Sequence, residues 1–178
     1  YKIKIVFLGD GESSRDKDEN ELSKLIKMRK KQAELVSNKC NFLKPSFGNF
    51  PDNKLDNVPF LNIVKFVEKH ILLFKPKIIL THFESDLNID HQLAFKAVIT
   101  ASRPMSKCFV KKIYCFETPS STDFNFTRNN FKRFNPNYYI DVSKFIKKKI
   151  NILNIYKKEL KKWPHSRSLK SIANLAKY

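Results

Sequence analysis

The chain has 178 residues, 42% of them hydrophobic, with sixteen Phe and sixteen Ile; that is enough to bury a core in a single domain spanning 1–178 and excludes a disordered chain despite a formal net charge of +18. The excess charge is 29 Lys against 6 Arg, accompanied by sixteen Asn. Arginine is the residue that grips bases and phosphates bidentately, so a dedicated nucleic-acid face is disfavoured, while peripheral contact with an anionic membrane and a phosphate-linked ligand stay open.

In chain order, "YKIKIVFLGDGE" alternates, turns apolar and reaches Gly9, Asp10 and Gly11, which reads as a strand entering a tight turn. Residues 17–38 place Leu22, Leu25, Ile26, Ala33 and Val36 mostly on one helical face. "NKCNFLK" is a short strand candidate, and "PSFGNFPDNKLDNVP" reads as a loop rich in Pro, Gly and Asn. Phe60 to Phe74 has helical spacing and ends before Pro76; "KIILTH" is then a short buried strand. A helix is expected over Ile89 to Ser102, and a strand at "VKKIYCFET". "PSSTDFNFTRNNFKRFNPNYY" lacks helical period and reads as a long loop over a site. From Asp141 the pattern is helical again toward Pro164, with a last short helix from about Ser168. Alternation of strands and helices predicts an α/β domain with a mainly parallel sheet flanked by helices.

Cys40, Cys108 and Cys115 are odd in number and unpatterned, which favours reduced core thiols over a disulfide scaffold or a thiolate metal site. The longest apolar runs are too short to cross a bilayer, and no targeting peptide is visible, so a cytoplasmic location is the working expectation.

In open α/β sheets, ligands collect beyond the carboxyl ends of the strands. Three polar clusters fall there: "GDGESS", "THFESDLNIDH" and "ETPSST". In the central one, Asp86 or Asn88 can cap the following helix and Asp90 can sit at its positive end. His91 can bond a loop carbonyl, or it can serve as an imidazole metal ligand with Asp90 orienting the ring or relaying a proton. Residue types alone leave both readings open.

The segments "LGDGESSR", "MRKKQAELV", "FPDNKLD", "KPKIILTHFESDLNIDHQLAFKAVITASRP", "KKIYCFETPSST" and "FNPNYYIDVSKFIKKKINILNIYKKEL" resemble, in that order, the LmbE-like or PIG-L-type N-acetylglucosaminyl deacetylases. The resemblance implies a Rossmann-like domain that uses metal-bound water, with zinc as the metal, to hydrolyse the acetamide of an N-acetylated amino sugar or glycoconjugate. On that model His91 matches a metal ligand and Asp90 the acidic residue beside it. His82 matches a strand-end histidine with less claim to direct catalysis.

The family's first motif, a His-Pro-Asp-Asp-Glu type segment supplying two ligands and the general base, has no counterpart here. "GDGESSR" matches the loop after the family's second strand, so Asp10 and Glu12 are not substitutes. The expectation is a domain lacking the family's first strand and helix in this span, inactive as it stands; the competing explanation is a relative that has lost its metal. Glu117, Ser120 and Ser121 are candidates to line the sugar cleft. So are His165 and Arg167, from "WPHSRS", which resembles a family "HPRS"-like segment with Ser166 where proline is usual. Each also has an ordinary reading as a capping or surface residue. The rival function is a non-catalytic sugar- or anion-binding protein on the same scaffold.

Overall fold

The computed structural model describes residues 1–104, 109–125 and 133–177. Strand β1, Val6–Gly9, runs into the turn foreseen at Asp10, whose Oδ1 accepts the N–H groups of Glu12 and Ser13 at 2.9 Å each. Helix α1 follows as Glu19–Cys40. Asp18 caps it by accepting from the Glu21 amide, and Glu19 and Glu21 complement its positive end.

The expected strand over "NKCNFLK" is not formed. Helix α1 continues to Cys40, Asn41 takes the left-handed conformation at φ 57° and the Phe42 amide bonds back to the Ser37 carbonyl at 2.8 Å. Those backbone groups therefore close a helix terminus instead of entering a ladder. Strand β2 is Ser46–Phe50, inside the stretch read as loop. Gly48 explains why the strand signal was weak: a Cβ there would come within 2.8 Å of the Leu8 carbonyl, so close pairing with β1 demands the residue that weakens strand propensity.

A single 3-10 turn at Leu55–Asn57 leads to α2, Phe60–Phe74, which buries Ile63, Val64, Val67 and Ile71 along one stripe. Lys75 ends it in the left-handed region ahead of Pro76. Strand β3, Ile78–His82, helix α3, Ile89–Ala101, and strand β4, Lys112–Phe116, follow the sequence expectation closely. The C-terminal helix is shorter than its pattern suggests: α4 is Ile146–Leu153, continued by a 3-10 turn over Asn154–Tyr156. The bend lets the Ile155 carbonyl accept from Gln32 on α1 at 2.8 Å, and a chain that continued straight would give up that contact. Helix α5, Leu169–Leu175, starts from a Ser168 cap.

Both ladders are parallel, as expected, but the described strands form two separate pairs, β1 with β2 and β3 with β4. One core serves both. Ile63, Val64, Val67 and Ile71 of α2 and Ala97 and Val98 of α3 pack against Leu8 and Phe50 from the first pair and Ile79 and Ile113 from the second. The architecture is thus α/β, with small parallel sheets flanked by helices in the Rossmann-like manner. Cys40 and Cys115 are free thiols, and Cys108 lies outside the described residues. No helix among the described residues is long and apolar enough to cross a membrane.

Candidate functional site

The loops at the carboxyl ends of the strands are sewn to one another by side chains. Ser13, after β1, accepts the Asp52 amide at 2.8 Å, and Ser14 donates to the Asp52 carboxylate at 2.7 Å. Asp90, in the first turn of α3, accepts the amides of Asn53 at 2.7 Å and Leu55 at 3.0 Å, while Asn88 donates to Asn53 at 2.8 Å. The loop after β2 is therefore held on the start of α3.

Asp86 is the centre of the next link. It is fully buried, and its carboxylate accepts from the hydroxyls of Ser121 and Thr122 and from the Asn88 amide at 2.9 Å. Burial pushes its pKa up, but the Ser121, Thr122 and Asn88 hydrogen bonds and nearby His91 outweigh that and hold it below the ordinary aspartate value. The residue capping α3 is Asn88, which accepts the Asp90 amide at 2.8 Å. Asp86 instead joins the loop after β3 to the loop after β4.

His91 stands on this carboxylate. Its Nδ1 is 3.0 Å from Asp86 Oδ1 and 3.4 Å from Ser121 Oγ. The His82 ring, at the end of β3, stacks on it with centroids 3.9 Å apart and planes 5° from parallel. Burial, reinforced by the neighbouring His91, lowers the His82 pKa to about 4, so His82 is neutral at physiological pH.

The structure places Asp90 differently from the expectation that it orients His91. Its carboxylate oxygens hold Asn53 and Leu55, and the carboxylate beside His91 Nδ1 is that of Asp86. Burial raises the Asp90 pKa above the ordinary value in spite of the two amide donors. Asp90→Ala is expected to cost about 2 kcal/mol, because two amides lose their acceptor. Urea unfolding measures this, and hydrogen exchange at Asn53 and Leu55 should quicken selectively.

Of the other expected residues, Ser121 is at the centre and the rest are peripheral to it. Glu117 follows β4, with its pKa raised by burial and by Asp123, against the opposing effect of Lys149. Ser120 occupies the left-handed region at φ 63° and so shapes the turn that delivers Ser121. His165 packs edge-on to Phe124 with centroids 6.0 Å apart, and its Nδ1 accepts the Arg167 amide at 3.0 Å. Arg167 turns toward Glu159, 3.5 Å away, and its Nε is buried without a hydrogen-bond partner among the described residues.

Glu159 belongs to an ionic network absent from the sequence reading. Arg29 bridges Glu12 at 2.5 Å and Glu159 at 2.6 Å, and Arg15 also reaches Glu159, at 3.1 Å. The network ties the loop after β1, helix α1 and the C-terminal segment together, with Glu12 fully buried. The signal available in the sequence was Glu159 itself, the one acid in a strongly basic C-terminal stretch.

As a metal centre, the described residues fit one corner only. His91 has Nδ1 beside Asp86 and Ser121, and its Nε2 makes no hydrogen bond among the described residues, so that nitrogen is the one open to a ligand. No group of three or more His, Cys, Asp or Glu side chains suited to hold a metal ion occurs among the described residues.

Comparison with known proteins bears on what this half-site belongs to. The family model described as PIG-L, GlcNAc-PI de-N-acetylase, matches residues 1–102, more than half of the chain. The chain belongs to the PIG-L family, also called LmbE-like. The PIG-L match includes β1, β3, Asp86, Asp90 and His91 and stops at the end of α3. A search of curated protein sequences returned no match.

Among solved structures, the conserved protein TT1542 from Thermus thermophilus aligns with a TM-score of 0.64 at 18% identity, covering 99% of this chain and 72% of its own. GalB, the 4-carboxy-2-hydroxymuconate hydratase from Pseudomonas putida, gives 0.68 at 18% identity, over 87% of this chain and 66% of its own. N,N'-diacetylchitobiose deacetylase from Pyrococcus horikoshii gives 0.63 at 15% identity, over 90% of this chain and 60% of its own. At such identities the likeness establishes the fold. A hydratase and a deacetylase on one fold also show that the reaction must be argued from the site.

Proposed function

We propose that this PIG-L family chain is part of a metal-dependent deacetylase acting on the N-acetyl group of an amino sugar or its conjugate. The observation that carries the reading is His91, set on the buried Asp86 at the carboxyl end of β3, within the segment matched by the family model. His91 is the ligand this chain contributes, through Nε2. A divalent ion bound there, zinc in the first instance, would supply Lewis acidity toward the acetamide oxygen and a water of lowered pKa.

The remaining ligands and the general base are assigned to chain outside this span. Two observations support that assignment. The described strands form two separate parallel pairs, and one face of the β3–β4 pair leaves Ile78 and Leu80 exposed at 49% and 65%, whereas parallel sheets are ordinarily covered on both faces. A further strand and helix would complete the sheet and cover that face.

Within the cleft, Glu117, Ser120, Ser121, His165 and Arg167 are the residues proposed to line the sugar side. Ser121 acts from beneath His91. His165 and Arg167 act from the segment that packs on Phe124. The role of Asp90 is to hold the 53–55 loop as a wall of the cleft. The lysine-rich surface suits a phosphate-linked glycoconjugate or peripheral contact with an anionic membrane.

The sequence encoded immediately upstream of Tyr1 tests the reading cheaply. A segment bearing a histidine and two aspartates after an apolar strand is the expected result. A coding sequence without one would overturn the zinc mechanism and favour the rival, a non-catalytic sugar- or anion-binding protein, whose glycan binding would survive a chelator.

A further inference from the structure

The hydrogen bonds around His91 determine which of its nitrogens carries the proton, because each donor has a fixed number of hydrogens to give. An ionised carboxylate only accepts. Asp86 is surrounded by donors: the Asn88 amide and the Ser121 hydroxyl on Oδ1, and the Thr122 hydroxyl on Oδ2. Thr122 Oγ1 in turn accepts the Thr118 amide at 2.7 Å, which leaves its own hydrogen directed at Asp86. Ser121 has one hydroxyl hydrogen, and it is committed to Asp86. Toward His91 Nδ1, 3.4 Å away, Ser121 Oγ can therefore only accept. The other group beside Nδ1 is Asp86 Oδ1 itself, again an acceptor.

Both neighbours of Nδ1 thus require a hydrogen on that atom. We propose that Asp86, acting directly and through Ser121, is the positioning residue that locks His91 in the Nδ1–H tautomer and leaves Nε2 as a bare nitrogen donor toward the cleft. This is the opposite of the tautomer preferred by a free histidine side chain. The flat stack of His82 on His91 fixes the second degree of freedom, the rotation of the ring about its χ2 bond. The loop after β4 therefore contributes by fixing a neighbour: Ser121 and Thr122 hold the carboxylate that holds the imidazole. Its value for catalysis rests on reading His91 as a metal ligand, but the tautomer exists without metal and is measured separately.

The experiment is long-range proton–nitrogen NMR of the histidine rings in the chelator-stripped full-length protein, at a pH where His91 is neutral. The expected wild-type spectrum has a pyrrole-type Nδ1 and a pyridine-type Nε2. Asp86→Asn should move His91 toward the Nε2–H form, whereas Ser121→Ala and Ser121→Thr, which keep the carboxylate oxygen beside Nδ1, should retain the Nδ1–H form. Zinc affinity measured by competition with a chelating dye should fall about 10- to 100-fold in Asp86→Asn, the usual effect of removing a partner that orients a ligand.

Should Asp86→Asn fail to fold, the wild-type spectrum and Ser121→Ala carry the test, since Ser121→Ala keeps the carboxylate and has to keep the Nδ1–H form. An Nε2–H wild type, an Nδ1–H form that survives Asp86→Asn, or one lost in Ser121→Ala, overturns the proposal. An Nδ1–H wild type in a protein without deacetylase activity upholds it and counts against the functional reading instead.

Discussion

Replacing His91 by alanine is expected to abolish deacetylation and to strip tightly bound zinc from the full-length protein while leaving the fold intact. His91 is partly exposed on the first turn of α3, and the apolar core of that helix is made further along it by Ala94, Ala97 and Val98. Loss of the ring removes the stack on His82 and a neighbour of Asp86, but Asp86 keeps its hydroxyl and amide donors. Removing an outer partner of a metal ligand typically costs 10- to 100-fold, so deleting the ligand itself should cost at least about a hundredfold in activity. Metal content and acetate release, measured on the same preparation, check this. Unchanged zinc occupancy in the variant would remove His91 from the ligand set.

The second large effect lies far from the chemistry. Arg29→Met should destabilise the protein by about 3 to 5 kcal/mol, because it leaves Glu12 buried with its principal countercharge gone and loosens Glu159 as well. For a chain of this size that corresponds to a drop of about 10 °C in Tm. The double variant Glu12→Gln with Arg29→Met should recover much of the loss, since the uncompensated buried charge is then absent. Calorimetry or denaturant titration of the two variants gives the comparison, and equal stability of wild type and Arg29→Met would show that the pair adds nothing.

The same network makes the C-terminal segment acid-sensitive. Burial raises the Glu159 pKa, but hydrogen bonds and charge from Arg29, followed by Arg15, outweigh it and hold the folded value below the ordinary one. A depressed carboxylate stabilises fully above its unfolded pKa and loses that contribution as the pH falls through the folded value. Stability should therefore decline in acid in the wild type, with a shallower decline in Arg29→Met.

How far the sequence alone reached depends on which physical signal each element carried. Helix α2 and the strands β3 and β4 were legible because apolar periodicity and Pro76 mark them locally. β2 was not, since its middle residue is a glycine required by the backbone of β1, a tertiary constraint with no local trace. The break of α4 after Leu153 follows from contacts to α1 more than a hundred residues earlier in the chain.

The site shows the same division. His91 was legible as a residue type beside a carboxylate, and the sequence neighbour Asp90 was the natural choice to orient it. Yet helical geometry turns Asp90 toward the 53–55 loop, and the orienting carboxylate comes from Asp86, five positions earlier, held by hydroxyls from beyond β4. Adjacency in sequence on a helix is not adjacency in space. The clustering of polar residues after β1, β3 and β4 was a better guide, because all of these loops do meet at the carboxyl ends of the strands.

The most direct measurement is acetate release from an N-acetylglucosaminyl glycoconjugate by the purified full-length protein, first stripped by chelator and then restored with zinc. The account predicts that turnover disappears on stripping, returns with zinc and is absent from the His91→Ala variant. Zinc-restored protein that releases no acetate, or release that continues unchanged in chelator, would contradict it.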